Sequence, residues 1–234
     1  MRRRRARARR GHRSIDRWRA PVRPLRIALA QGTLLADTRV ALAAAGFATD
    51  ALADGGRRLV VPGADVEYVL ARPSDVPTHV AHGAADVGIV GKDVLLESDA
   101  EVLELVDLKY GRCRFVVAAP TDFIDRSLDE YRHLGSLEVA TKYPRVAERH
   151  FQGRGIQVEI IKLSGSVELA PQVGLADWIV DLVSTGRTLK ENGLAIIEEI
   201  AVCTARLIAN RVSYARDRER IAALASKLEA WAAR

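Results

Sequence analysis

The side chains best suited to chemistry in this 234-residue chain lie close together after residue 178. The apolar stretch at 178–183 predicts a buried strand, and a hydroxyl- and glycine-rich turn then leads into a helix-like segment that Gly193 ends. Orphan N–H groups and the positive dipole end of such a helix attract anions. The turn therefore predicts a phosphate-binding loop, which we call the hydroxyl-rich loop: Ser184, Thr185, Gly186, Arg187 and Thr188.

An acidic residue, Asp181, lies on the strand just before this loop. A carboxylate repels a phosphate, but it suits ribose hydroxyls or a metal-bound sugar. The segment thus predicts a site for a phosphorylated ribose. The alternative is a turn that binds nothing, because Ser and Thr also cap helices and Thr-Gly turns commonly follow strands.

The elements around this segment alternate between short apolar strands and amphipathic helices, which predicts an α/β fold with mostly parallel sheet. Two groups of such units are visible, at 25–108 and 109–192, and we expect 193–234 to return to the first group. Ligands of such sheets bind beyond the carboxyl ends of the strands. Four glycine-bearing turns occupy such ends, so we expect them to meet at one interdomain cleft: 31–33, 88–93, 164–166 and 184–188.

The net charge of +6 comes from the first residues of the chain. Residues 1–24 contain eleven arginines and one acid, Asp16, whereas the remainder holds 25 basic and 29 acidic residues. We expect 1–24 to be a disordered extension that lacks the apolar core of a secretory signal. Such a block could bind nucleic acid, an activity that its deletion would test through the salt dependence of binding.

The cysteines and histidines predict no metal site. Cys113 and Cys203 are far apart in the sequence and fit small core residues of a reduced, cytoplasmic protein. His79 and His82 share a helical face but have no third ligand nearby, and no cysteine–histidine spacing is that of a zinc site. No apolar run approaches the roughly 20 residues of a membrane span.

Several blocks together resemble the ATP phosphoribosyltransferases, the first enzymes of histidine biosynthesis. The resemblance covers about residues 25–230, and its longest block ends in the hydroxyl-rich loop. The blocks are Arg72-Pro-Ser-Asp-Val-Pro77, Gly83-Ala-Ala-Asp-Val-Gly-Ile-Val-Gly-Lys-Asp93, Ala140-Thr-Lys-Tyr-Pro144, Gly165-Ser-Val-Glu-Leu-Ala-Pro171, Gly174-Leu-Ala-Asp177, Asp181-Leu-Val-Ser-Thr-Gly-Arg-Thr-Leu189 and Asn192-Gly-Leu194.

The resemblance implies two α/β domains like those of a type II periplasmic binding protein, with the active site in the cleft between them. The expected domains are 25–108 plus 193–234, and 109–192 with the phosphoribosyl-binding loop. The implied reaction joins N1 of ATP to C1′ of phosphoribosyl pyrophosphate (PRPP) and releases pyrophosphate, with Mg²⁺ carried by the substrates. The chain resembles the short form, which works with a regulatory subunit similar to histidyl-tRNA synthetase, and we expect a homodimer or a higher oligomer.

The resemblance also assigns roles to residues. PRPP is expected at the hydroxyl-rich loop and Asp181, with Glu168 as a second acid. Cations must neutralise the phosphates, and Arg57 is the first candidate for the leaving pyrophosphate, with Arg72 beside it and Arg58 as a weaker candidate. The expected ATP contacts are Gly91, Asp93 and Lys142.

One turn departs from the family pattern. Members usually carry Lys-Gly-Arg after the first strand, whereas this chain has Gln31-Gly32-Thr33 and so lacks both cations. Either another cation such as Arg187 compensates, or the chain is a weakened paralogue or partner subunit that binds nucleotide or PRPP. A solute-binding protein of the same architecture is a further alternative, which the missing secretory signal and the hydroxyl-rich loop disfavour.

Overall fold

The computed structural model describes residues 23–52, 58–123, 128 and 136–234. Two predictions fall outside these ranges: the basic extension, of which only residues 23 and 24 are described, and the role of Arg57. Among the described helices, none combines the length and the apolar composition that crossing a bilayer requires.

The first sheet has six strands in the order β2-β3-β1-β4-β11-β5. Its central strand β4 is buried at every position, as expected for a strand covered on both faces. Gly63 follows β2 and turns the chain into β3, so these two strands form an antiparallel hairpin. The strands are β1 (Leu25–Ala30), β2 (Val60–Pro62), β3 (Val66–Ala71), β4 (Val87–Gly91), β5 (Leu103–Asp107) and β11 (Ala205–Ala209).

The second sheet has five strands in the order β10-β6-β9-β7-β8. The strand that precedes the hydroxyl-rich loop, β9, lies in the middle, between β6 and β7. The strands are β6 (Cys113–Pro120), β7 (Leu137–Thr141), β8 (Val158–Lys162), β9 (Trp178–Val183) and β10 (Leu194–Cys203). Two sheets in an α/β chain agree with the predicted two-part fold.

Both sheets are mixed, so the expectation of mostly parallel sheet was wrong. Parallel pairing is confined to β1 with β3 and β4, and to β7 with β8 and β9. The remaining described pairs are antiparallel. The reason is that the chain crosses between the sheets twice, at 108–112 and at Thr204, and the strands beside these crossings, β6, β10 and β11, run against their neighbours.

The second crossing also lies later than the predicted boundary at 193. Strand β10 begins at Leu194 but pairs with β6 along its whole length, from Leu194–Pro120 to Cys203–Cys113. It therefore belongs to the second sheet, and the return to the first sheet begins only with β11. Only the segment after Thr204 follows the expected path.

The helices cover the sheets, and the last one packs within the chain. Ile221, Leu224 and Leu228 of α8 are fully buried against the first sheet, and burying each such side chain stabilises the fold by about 1.5–3 kcal/mol. Its apolar stripe thus serves intrachain packing. The helices are α1 (Leu35–Ala44), α2 (Val76–Ala81), α3 (Lys92–Ser98), α4 (Pro144–Gly153), α5 (Leu169–Gln172), α6 (Arg187–Glu191), α7 (Arg211–Arg216) and α8 (Arg218–Ala232).

Candidate active site

The hydroxyl-rich loop begins where the central strand β9 ends, at Val183. Gly186 has a φ of 75°, in the left-handed region that favours glycine, and Arg187 then starts α6. The backbone N–H of Arg187 donates to Thr185 Oγ1 at 3.4 Å. The side chains of Ser184, Thr185, Arg187 and Thr188 are exposed, so the loop presents its hydroxyls and its charge to solvent.

Asp181 lies half-buried on β9, two residues before the end of the strand. Burial raises the pKa of its carboxyl, the neighbouring Glu168 raises it further, and Lys142 lowers it. The Asp181 carboxylate also accepts the N–H of Leu182 at 2.8 Å. The predicted ribose ligands Asp181 and Glu168 therefore lie close enough to interact electrostatically, and Lys142, a predicted ATP contact, acts on Asp181 as well.

A buried threonine fixes the segment that carries Lys142. Thr141 is fully buried at the end of β7, where its hydroxyl donates to the carbonyl of Val180 at 2.7 Å. The same oxygen accepts the N–H of Tyr143 at 2.9 Å. These two bonds tie the turn after β7 to the strand that carries Asp181. Lys142 itself is exposed.

The opposite wall of the cleft is formed by the turn from β4 into α3. The pKa of Asp93 is raised by burial and lowered by bonds from the N–H groups of Asp93 and Val94. Its carboxylate thus accepts hydrogen bonds from the first turn of α3. A Cβ atom on residue 91 would lie 2.0 Å from Asp93 Oδ1, so the Asp93 carboxylate can take this position only because residue 91 is glycine.

A cavity of about 430 Å³, here the Ser184 cavity, separates the two walls. Gly91 and Asp93 line one side, and Ser184 lines the other. Gln31 and Thr33 also line it, so the altered turn faces the cleft as the family resemblance implied. The remaining lining residues are Leu34, Asp37, Pro73, Val94, Gly111, Arg112, Cys113 and Leu182.

A second cavity of about 630 Å³, here the Arg72 cavity, shares Pro73, Asp93 and Val94 with the first. Three cations line it, and they come from both halves of the molecule: Arg72, Lys142 and Lys162. Tyr143, whose pKa burial and the nearby Asp181 and Asp93 raise, lines it as well. The positive side chains make this cavity suited to a polyphosphate.

The two cavities bring together some of the predicted site residues and leave others outside. Asp93 lines both cavities, Gly91 and Ser184 line the first, and Arg72 and Lys142 line the second. Absent from both linings are Thr185, Gly186, Arg187, Thr188, Glu168 and Asp181, which continue along the second wall from Ser184 and Lys142. Arg58 is exposed and lines neither cavity.

A direct contact between α3 and α4 joins the two walls. The Glu97 carboxylate accepts the N–H groups of Arg145 at 3.4 Å and Val146 at 3.1 Å, at the start of α4. Arg145 in turn donates to the carbonyl of Ser98 at 2.8 Å, and Arg149 donates to that of Leu96. Helix α3 follows a strand of the first sheet and α4 one of the second, so these bonds bridge the cleft.

Sequence reasoning missed several residues that line the cavities, among them Arg112, Cys113, Tyr143 and Lys162. Lys162 ends β8, so the rule that ligands bind beyond strand carboxyl ends could have found it. Arg112 lies on the first crossing and carried no motif. Cys203 is a buried core residue as predicted, whereas Cys113 is only half-buried.

No group of three or more His, Cys, Asp or Glu side chains suitable for a metal occurs among the described residues, which include His79 and His82. The acidic residues at the cleft therefore form no closed ligand set. A metal ion here would need oxygen ligands from a bound phosphate as well.

The family model described as HisG, ATP phosphoribosyltransferase, matches residues 72–230. The ATP phosphoribosyltransferase of Rubrobacter xylanophilus is 53% identical over 193 residues, which cover 82% of this chain and 89% of that protein. That of Moorella thermoacetica is 52% identical over 209 residues, covering 88% and 92%.

Solved structures agree with these similarities. A chain of the ATP phosphoribosyl transferase (HisG:HisZ) complex from Thermotoga maritima matches with a TM-score of 0.74 at 37% identity, over 89% of this chain and 98% of that one. Its fold supports the predicted two-domain arrangement of the type II periplasmic-binding-protein class. The Tv2483 protein bound to L-arginine, at 17% identity and a TM-score of 0.53 over 88% of this chain and 82% of its own, shows a shared fold alone.

Proposed function

Because this chain belongs to the ATP phosphoribosyltransferase family, we propose that it joins N1 of the adenine of ATP to C1′ of PRPP with release of pyrophosphate. The observation that carries the proposal is the cleft itself. Ser184, the first residue of the hydroxyl-rich loop, faces Asp93 on the other wall across a cavity of about 430 Å³, which is the size of a small-molecule site. The reaction would be the first step of histidine biosynthesis.

The phosphoribosyl group is assigned to the second wall. Exposed hydroxyls and backbone N–H groups of 184–188 would bind the 5′-phosphate, with Arg187 neutralising its charge. Asp181 and Glu168 would accept hydrogen bonds from the ribose hydroxyls. Burial and Glu168 raise the pKa of Asp181 and so disfavour its charged form. Hydrogen bonds from ribose hydroxyls would stabilise that charged form.

The nucleotide and the leaving pyrophosphate are assigned to the first wall and the Arg72 cavity. Gly91 and Asp93 would contact ATP, and Arg72, Lys142 and Lys162 would attract its phosphates. Arg57 remains the predicted cation for the leaving group, with Arg72 as its partner. Cations placed where negative charge develops stabilise the transition state electrostatically.

Catalysis would rest on positioning and charge neutralisation. Adenine N1 is a weak nucleophile that carries no proton, so the transition state resembles a ribosyl oxocarbenium ion and no strong base is required. Mg²⁺ would arrive with the phosphates of PRPP and ATP, which supply oxygen ligands of the kind this ion prefers. Cytoplasmic location, as expected from two free cysteines, belongs to the same proposal.

The turn at 31–33 favours one alternative function. Gln31 and Thr33 line the Ser184 cavity and bring no charge to it, which fits a weakened paralogue or a binding partner. Arg112 lines the same cavity, however, and could supply the missing positive charge. We assign it this compensating role in place of Arg187, which belongs to the other wall.

A regulatory subunit completes the proposal. The similar chain from Thermotoga maritima forms a HisG:HisZ complex, and we infer that this chain works with such a subunit, which would resemble histidyl-tRNA synthetase. The chain would also form at least a homodimer.

Release of pyrophosphate from PRPP and ATP with Mg²⁺ tests the proposal, with and without the regulatory subunit. We expect turnover that collapses in Arg57→Ala and persists in Arg58→Ala, the adjacent control. PRPP binding without pyrophosphate release in either condition would instead establish the non-catalytic alternative.

A further inference from the structure

The two cysteines of the chain face each other across neighbouring strands. Cys113 begins β6, Cys203 ends β10, and the two residues are direct partners in the antiparallel ladder. Both are free, and their thiols are joined by a hydrogen bond. Antiparallel partners have Cα atoms about 4.5–5.5 Å apart, which lies within the range of about 4.4–6.8 Å that a disulfide spans.

The pair also marks both crossings between the sheets. The chain enters the second sheet at Cys113, and it leaves that sheet at Cys203 to re-enter the first at Ala205. Backbone bonds join the two crossings: Ala205 N–H donates to Tyr110 O, and Leu108 N–H donates to Ala205 O, both at 2.9 Å. Thr204 Oγ1 also donates to Asp107 Oδ1 at 2.6 Å. A bond between the cysteines would add a covalent tie at this place.

The two thiols have different access to solvent and different reactivity. Cys113 is half-buried and lines the Ser184 cavity, whereas Cys203 is fully buried beside Phe115 and Val146. The hydrogen bond from the Cys203 thiol lowers the pKa of Cys113, against burial and the Asp93 carboxylate. The same contact and burial raise the pKa of Cys203, while Lys92 lowers it. Cys113 is thus the attacking thiol and Cys203 the resolving one.

We propose that Cys113 and Cys203 are a reversible redox modification site, which a small-molecule disulfide converts into an intrachain disulfide that restrains the crossings. The Cys113 thiolate attacks one sulfur of the oxidant, whose S–S bond breaks and releases one thiolate. Cys203 then loses its proton and attacks the Cys113 sulfur, which releases the second thiolate. Two protein thiols are oxidised, one small disulfide is reduced, and both protons go to the released thiols.

The disulfide should slow catalysis because opening and closing of the cleft must bend both crossings, which are the two places where the described chain passes from one sheet to the other. Residues at element ends absorb such movements, and restraining them changes turnover. This consequence rests on the proposed function, whereas formation of the disulfide does not. We expect kcat to fall roughly threefold or more in the oxidised chain and to recover with dithiothreitol.

The test uses the full-length chain in mixtures of oxidised and reduced glutathione. Because the sequence has two cysteines, alkylation and mass spectrometry give an unambiguous result. We expect each chain, with no covalent link to a second copy, to have lost both free thiols and the mass of two hydrogens. Two free thiols, a lasting glutathione adduct or disulfide-linked dimers would overturn the proposal. An intrachain disulfide with unchanged kcat would overturn the restraint of the crossings.

Two variants separate the roles of the cysteines. Cys203→Ser should stop the reaction at a stable glutathione adduct on Cys113, whereas Cys113→Ser should leave the buried Cys203 thiol unreacted. If Cys203→Ser, the substitution at the buried position, prevents folding, the mass of the oxidised wild type and the behaviour of Cys113→Ser still test the proposal. Turnover of the reduced wild type is measured in parallel, so an inactive chain would contradict the proposed reaction and leave the test of the disulfide intact.

Discussion

The two walls of the cleft present different kinds of groups. The second wall combines the hydroxyls and backbone N–H donors of a loop, which the central strand β9 and the buried Thr141 position, with the side chains of Asp181 and Arg187. The first wall relies on particular side chains, since Asp93 needs glycine at 91 and the turn at 31–33 has lost its cations.

This difference indicates which parts of a phosphate site tolerate substitution. Backbone donors persist as long as the fold does, whereas a charge carried by a side chain disappears with one substitution. The loop on the second wall therefore keeps its backbone donors, whereas the first wall lacks cations at 31–33 and needs another one, such as Arg112. Variants of the two walls should accordingly differ in which substrate they affect.

Asp181→Asn should have the largest effect. The amide keeps the volume but loses a charged acceptor for the ribose hydroxyls, and hydrogen bonds to charged groups contribute about 1.5–3 kcal/mol. We expect kcat/KM for PRPP to fall roughly 10- to 150-fold, measured by pyrophosphate release. Asp177→Asn, an exposed position just before β9, is the matched control and should change little. Equal effects in both variants would refute the assignment of Asp181.

Gly91→Ala should impair the first wall alone. The new Cβ would meet Asp93 Oδ1 at 2.0 Å, so the carboxylate must move. A misplacement of about 1 Å can lower activity by about 100-fold, and we expect the effect on KM for ATP rather than on PRPP binding. Gly153→Ala is the control, since nothing lies within 4 Å of its Cβ. Loss of PRPP binding in Gly91→Ala would show that the walls are not separable.

Arg112→Ala tests the compensating charge at the altered turn. We expect kcat/KM to fall about tenfold, as for one lost charge-assisted bond. Arg114→Ala, which removes a half-exposed ion pair with Glu199 of 2.8 Å, should have little effect. Adding Gln31→Lys and Thr33→Arg should raise kcat/KM by a larger factor in the Arg112→Ala variant than in the wild type. Additive effects would mean that these charges act independently.

Asp93→Asn should raise stability while it lowers activity, the smallest of the expected effects. Burial raises the folded-state pKa of Asp93 above its unfolded value of about 3.9, so the charged form destabilises the fold at neutral pH. This penalty is fully present above the folded pKa, declines as the pH falls through it, and vanishes below the unfolded pKa. The free energy of unfolding of the variant should therefore exceed that of the wild type at pH 7 and equal it at pH 3. If the difference in the free energy of unfolding between variant and wild type stayed constant from pH 3 to pH 7, burial of the charged Asp93 carboxylate would not be its cause.

Much of the fold could be predicted because apolar runs and glycine turns mark single elements. The strand at 178–183 was placed correctly on that basis. Strand direction and the short β11 escaped prediction, because both depend on where the chain crosses between the sheets.

The site was predictable to the extent that it lies at strand ends. Gly91, Asp93 and Ser184 were selected by that rule, and all three line one cavity. Arg112 and the pairing of Cys113 with Cys203 depend on the register of distant strands, which no local pattern encodes. The roles of the PRPP and ATP residues remain predictions.

Equilibrium binding of PRPP with Mg²⁺ and without ATP tests the division of the walls most directly. We predict that Arg187→Ala weakens PRPP binding about tenfold, since it removes a charge-assisted bond. Lys190→Ala, an equally exposed cation on the same helix, and Gly91→Ala, on the opposite wall, should bind PRPP as the wild type does. Unchanged affinity in Arg187→Ala, or an equal loss in all three variants, would contradict the account.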